Sequence, residues 1–168
     1  MIISANQPYF WPYPGFFFKA SRSDVLVILD NVQFPRGTTW ISRNRFKNNQ
    51  GSLGLTIPVW KKGLGKQQIS QVRICYEGRW PHKHLESLKS AYAHAPYLKD
   101  HLGFLEEVFS RRWQKLVDLN LAIIGYFMDC LRLQTRLVLL SELEVKARAT
   151  QLLIEICRVL GASTFLAQ

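Results

Sequence analysis

Arg43-Asn44-Arg45-Phe46-Lys47 is the densest run of side chains suited to holding a phosphate or carboxylate, because two forked guanidinium groups and an ammonium flank an amide. The same pattern also fits three solvated cations on an exposed face. It lies in a longer stretch, Arg36 to Lys89, that carries eleven Lys and Arg against two Glu, so nearly all of the formal +10 charge falls in one third of the chain. Charge concentrated in this way raises the local potential and favours an anionic partner. Spread over loops and strand faces, it would do no more than coat the surface.

The second candidate is Asn6-Gln7-Pro8-Tyr9-Phe10-Trp11-Pro12-Tyr13-Pro14-Gly15. Three prolines stiff enough to forbid continuous helix lead to Gly15, where a backbone can approach a ligand closely, and Lys19 stands one turn into the helix expected next. Asn6 and Gln7 offer amides at the same place. Spacing alone fits a phosphate seat and an aromatic plug of Tyr9, Phe10, Trp11 and Tyr13 equally well. No Walker A or Gly-x-Gly-x-x-Gly pattern occurs.

Asp30 and Gln33 follow the apolar run Val25-Leu26-Val27-Ile28-Leu29, where an aspartate either binds a substrate hydroxyl or amine or caps a turn. In His82-Lys83-His84 the two imidazoles cannot share a helical face, and no Cys or carboxylate stands at convincing ligand spacing, so no metal is expected. His84 remains a candidate acid or base because an imidazole titrates near neutrality. Asp118 and Asn120 are read as caps of a helix start, and Lys146 with Thr150 as an anion clamp or simply a polar helix face. Cys75, Cys130 and Cys157 are too few and too scattered for a disulfide framework.

These residues need elements to position them. With 168 residues, 48% of them hydrophobic, one α/β domain over 1–168 is expected. Ile2 to Ala5 reads as a strand, Phe16 to Ser21 as a brief helix and Val25 to Leu29 as a buried strand, which makes a βαβ unit with polar residues after both carboxyl ends. Residues 36–80 read as a basic, strand- and loop-rich insertion, with alternating stretches at Leu53 to Trp60 and Ile69 to Tyr76. Helices are expected from Pro81 to before Pro96, from near Tyr97, and from Leu116 to Leu131, all covering the sheet. Thr135 to Leu140 reads as a strand, Ala147 to Leu160 as an amphipathic helix capped by Gly161, and Thr164-Phe165-Leu166 as a last strand in a parallel sheet. No apolar run is long enough to span a bilayer, and a cytoplasmic protein is expected.

The residues taken together resemble the WbqC-like family, which is encoded among bacterial O-antigen and other polysaccharide biosynthesis genes. The resemblance is carried by Gln7-Pro8-x-Phe10-x-Pro12-x-x-Gly15 with Lys19, Leu29-Asp30-x-Val32-Gln33-Phe34, Arg43-Asn44-Arg45-x-Lys47, Leu55-Thr56-Ile57-Pro58-Val59, Lys83-His84-Leu85, Asp118-Leu119-Asn120, and Lys146-x-x-x-Thr150 before Leu152-Leu153-Ile154. Where the family usually has His before Gln-Pro this chain has Asn6, and family members tend to continue past the strand at Thr164.

The resemblance implies a Rossmann-like sheet, a truncated C-terminal part and a place in surface-polysaccharide biosynthesis, but no particular cofactor. The expected function is therefore group transfer (acyl, aminoacyl or nucleotidyl) on a phosphorylated or nucleotide-activated small molecule. Asn6, Gln7 and Asp30 would orient the substrate, Lys19, Arg43, Arg45 and Lys47 would neutralise phosphate, and His84 would move a proton. The second hypothesis is a nucleic-acid-binding module with Trp40, Phe46, Trp60 and Trp80 stacking on bases. The third is a non-catalytic scaffold.

Overall fold

A computed structural model describes residues 1–167. β1 (Ile2–Asn6) and β2 (Val25–Ile28) are apolar or small on both faces and lie side by side in parallel, Ile3 against Val25 and Asn6 against Ile28. β5 (Arg136–Leu139) adds to β2 and β6 (Thr164–Phe165) to β1, both in parallel, which gives the order β5-β2-β1-β6. The chain thus passes from β1 to β2 to β5 in one direction and then returns to the other side of β1.

Strand alternation decides what covers each face. Leu26 and Ile28 pack under α1 (Pro14–Ser21) and α4 (Leu116–Cys130), whereas Ile3, Ala5, Val25 and Val27 pack on α5 (Ala149–Leu160). Pro14 starts α1 where its missing N–H costs nothing. Gly161 ends α5 at φ 65°, a left-handed cap that glycine adopts without strain. The result is three layers, α/β/α.

The helices α2 (Trp80–Ala91) and α3 (Leu98–Ser110) do not lie on the parallel sheet, contrary to expectation. Trp80, Leu88, Leu105, Val108 and Phe109 instead enclose Phe10 together with Phe46 and Leu55, which belong to an antiparallel hairpin of β3 (Arg43–Asn48) and β4 (Gly51–Thr56). An amphipathic stripe states which helix face is buried and not what buries it. Ile69 to Tyr76 also departs from the strand reading. Ile69–Gln71 is a 3₁₀ turn, and the segment after it pairs with the approach to α4 through Ile74 N to Gln114 O (3.1 Å) and Leu116 N to Val72 O (2.9 Å). Burial of Val72 and Ile74 accounts for its alternating pattern without a sheet. The last helix starts at Ala149, so Lys146 precedes it in irregular chain. No helix among the described residues is long and apolar enough to cross a membrane.

Candidate functional site

The loop after β1 divides into a buried half and an open half. Phe10 is fully buried, and Trp11 meets the rings of Phe46, Phe109 and Phe127 at centroid distances of 5.8, 6.2 and 6.0 Å. Trp11 has φ 55°, a conformation costly for a bulky residue. Each aromatic pair contributes roughly 0.5–1.5 kcal/mol and together they offset that strain. Two asparagines hold the backbone. The Asn44 amide donates to Phe10 O (3.0 Å) and Trp11 O (2.5 Å), and the fully buried Asn120 amide donates to Pro8 O (2.7 Å) and Ile41 O (2.8 Å). Phe10 and Trp11 are therefore a plug, while Tyr9 and Tyr13 face a recess of about 380 Å³ with Pro12, Trp40 and Asn44. Burial, with Tyr13 alongside, raises the Tyr9 phenol, which stays a proton donor at neutral pH.

Ser4 and Asn6 project to the α1 face of β1, and Lys19 meets them from that helix. Lys19 Nζ donates to Ala5 O (3.0 Å) and Asn6 Oδ1 (3.2 Å), both neutral acceptors. No carboxylate lies within ion-pair distance of it among the described residues. The side chain is 9% exposed, and burial lowers its pKa. Beside it, Asn6 Nδ2 is buried without an acceptor among the described residues. Lys19 lines a cavity of about 770 Å³ with Arg22, Gly15, Phe18, Leu166, Ala167 and Tyr13. Tyr13 lines the aromatic recess too, so cation cavity and recess share one wall.

Gly15 is what lets that wall stand where it does. A Cβ added there would fall 2.5 Å from the Tyr13 ring. Because an exposed ring can swing aside, Gly15→Ala is expected to fold with little change in thermal midpoint yet to reshape both openings. Circular dichroism melts and calorimetric titration of the variant with pyrophosphate check this, and unaltered affinity would contradict it.

Asp30 is buried and fully engaged, accepting from Ser141 N (2.9 Å) and Ser141 Oγ (2.6 Å). Gln33 and Lys146 are brought together in a second cavity of about 680 Å³ whose lining also includes Asn31, Lys66 and Arg148. Thr150 and Gln7 line neither cavity. Arg43, Arg45 and Lys47 alternate along β3 with Asn44 and Phe46, which turn toward the loop, so the three cations occupy the outer face of the hairpin. They line neither cavity. Phe46 and Trp80 are core residues, which leaves Trp40 and Trp60 as the exposed members of the expected stacking set.

His84 is 9% exposed between Trp80 and Phe109 (5.2 and 6.0 Å between centroids), and its Nδ1 is buried without a partner. Burial lowers its pKa from 6.5 to about 4. As pH falls below about 6.5 the unfolded chain takes up a proton that the folded chain refuses until about pH 4, so stability falls through that window. After allowance for solvent screening the loss is on the order of 2 kcal/mol. A His84→Gln variant stays neutral and loses this part of the slope. Urea midpoints of parent and variant from pH 7 to pH 4.5 measure the difference, and parallel curves would refute it.

Arg22, Lys66, Arg148, Ser141 and the clamp formed by Asn120 were not legible as site residues. Their signals are weak: a polar amide inside the apolar run of α4 marks Asn120, and single cations in loops mark the others.

A model of the WbqC-like protein family matches residues 7–168. The chain is also similar to a curated protein of Mycobacterium tuberculosis (strain ATCC 25618 / H37Rv), "Uncharacterized protein Rv1507c", at 26% identity over 165 residues, covering 97% of this chain and 70% of the relative. No solved structure matches.

Proposed function

The chain belongs to the WbqC-like protein family, and from that premise we propose that it is a group-transfer enzyme of surface-polysaccharide biosynthesis acting on a phosphorylated or nucleotide-activated sugar. One observation carries the reading: a buried ammonium, Lys19, that among the described residues has only neutral acceptors, borders an open cavity and shares that cavity with Tyr13, which also walls an aromatic recess. A buried charge without a counterion costs several kcal/mol, and an anionic occupant offsets that cost. Asn6 Nδ2 adds a second unspent donor at the same place.

The sheet order supports the position. All four strands run parallel, and the order in which they are laid down reverses at β1, with β2 on one side and β6 on the other; ligands in open parallel sheets bind outside the carboxyl ends at such a reversal. In this reading the phosphate sits on Lys19 and Arg22, from the last turn and C-cap of α1, while the sugar ring lies against Tyr9, Tyr13 and Trp40. Transfer forms a bond between the activated group and a hydroxyl or amine of the acceptor, which gives up its proton to solvent, as the bond from that group to a phosphate oxygen breaks and the oxygen keeps the electron pair. The negative charge left on that oxygen is what Lys19 stabilises. Arg43, Arg45 and Lys47 add a positive field that draws the anion without touching it.

Calorimetric titration with pyrophosphate, a sugar phosphate and nucleotide sugars tests the proposal. The expected result is binding that raises the thermal midpoint and is weakened by Lys19→Met. Equal affinity of the Lys19→Met variant for every one of these ligands would reject it.

A further inference from the structure

We infer that the second cavity, at the carboxyl ends of β2 and β5, binds a nucleoside diphosphate independently of the Lys19 site. Three distant segments build it. Residues 66–70 are stitched along residues 30–34 by Phe34 N to Gln67 O (2.9 Å), Ile69 N to Val32 O (3.0 Å) and Ser70 N to Asp30 O (2.8 Å). The turn after β5 is fixed from the other side, since both carboxylate oxygens of Asp30 accept from Ser141. Asp30 is thus a positioning residue that joins these segments, its main-chain carbonyl accepting from Ser70 and its carboxylate from Ser141.

The lining sorts into three chemistries. Lys66, Lys146 and Arg148 are cations with no carboxylate within ion-pair distance among the described residues. Asn31 and Gln33 have side-chain amides with no hydrogen-bond partner among the described residues, and each offers a donor and an acceptor at once. Val32, Leu140, Val145 and Leu152 form an apolar floor. A diphosphate answers the cations, a base edge or ribose the amides, and a planar ring the floor. A bare inorganic anion uses only the first of these. The volume of about 680 Å³ is that of a small-molecule site, and the place, outside the carboxyl ends of parallel strands, is where α/β sheets receive nucleotides. This cavity lies by α5, on the sheet face opposite the one that α1 and Lys19 occupy.

The experiment is a calorimetric titration of the full chain carrying Lys19→Met, so that the first cavity is weakened, with UDP, ADP and pyrophosphate. UDP or ADP is expected to bind more tightly than pyrophosphate. Adding Lys146→Glu with Arg148→Glu should weaken the nucleotide roughly 10- to 100-fold while the circular dichroism spectrum is unchanged, because both side chains are exposed. Adding Gln33→Leu should weaken UDP or ADP and spare pyrophosphate. Absence of binding, nucleotide affinity no better than that of pyrophosphate, or binding indifferent to the double charge reversal each overturns the inference. None of these results bears on the Lys19 site, which the unaltered protein reports.

Discussion

Asn120→Ala is expected to lower stability by roughly 3 kcal/mol, the largest effect of any single polar substitution considered, because it removes two hydrogen bonds to buried carbonyls. The amide spans 112 residues to Pro8 O and 79 to Ile41 O, so it ties α4 to the loop after β1 and to the start of the hairpin at once. Its Oδ1 has no partner, and the whole contribution therefore comes from the NH₂ group. Truncation leaves two orphaned carbonyls and a small void. In a chain of this size the loss corresponds to a fall in thermal midpoint of about 6–12 °C. Urea unfolding should show a lower midpoint at constant slope, whereas Asp118→Ala, exposed on the first turn of the same helix, should change stability by less than about 0.5 kcal/mol. Equal effects of the two substitutions would contradict the clamp.

Lys19→Met is expected to separate binding from folding. The ammonium donates to Ala5 O and Asn6 Oδ1, and those bonds are lost, but so is the cost of holding a charge in a buried setting with neutral partners. The two effects oppose one another, and stability should stay within about 1 kcal/mol of the parent. Affinity has no such compensation. Removing a charge-assisted contact to phosphate costs about 1.5–3 kcal/mol, or roughly 10- to 100-fold in the dissociation constant. Calorimetry beside a urea titration measures both quantities on one preparation. A variant that loses stability and affinity in proportion would show that Lys19 serves the fold alone.

The parallel core was readable in the sequence because β2 is a run without polar alternation, which only a sheet covered on both faces can bury. Gly161 was readable because a left-handed cap selects glycine by sterics. The hairpin was harder: β3 alternates cations with Asn44 and Phe46, a pattern that says one face is dry without saying what it packs on, and β4 carries Gly51 and Gly54 where side chains would otherwise mark a strand. Local spacing likewise placed Asn6 and Lys19 near one loop, since they flank it. Nothing local joins Asn120 to Pro8, or Lys66 to Arg148, because those meetings depend on where the long segment between β2 and β5 returns. Asp30 was read with two alternatives, substrate contact or local turn cap, and its carboxylate instead accepts from Ser141, 111 residues away, which no local spacing announces.

Under the proposed function Lys19 is a buried cation that receives an anion, and its own titration, followed by the NMR resonance of the carbon bearing its amine, reports that event. In the free protein burial holds the Lys19 pKa below the ordinary 10.5. Saturation with pyrophosphate or a nucleotide sugar should raise it, because an adjacent negative charge favours the protonated form. A Lys19 titration that any such ligand leaves unmoved, while the ligand demonstrably binds elsewhere on the protein, would contradict the account.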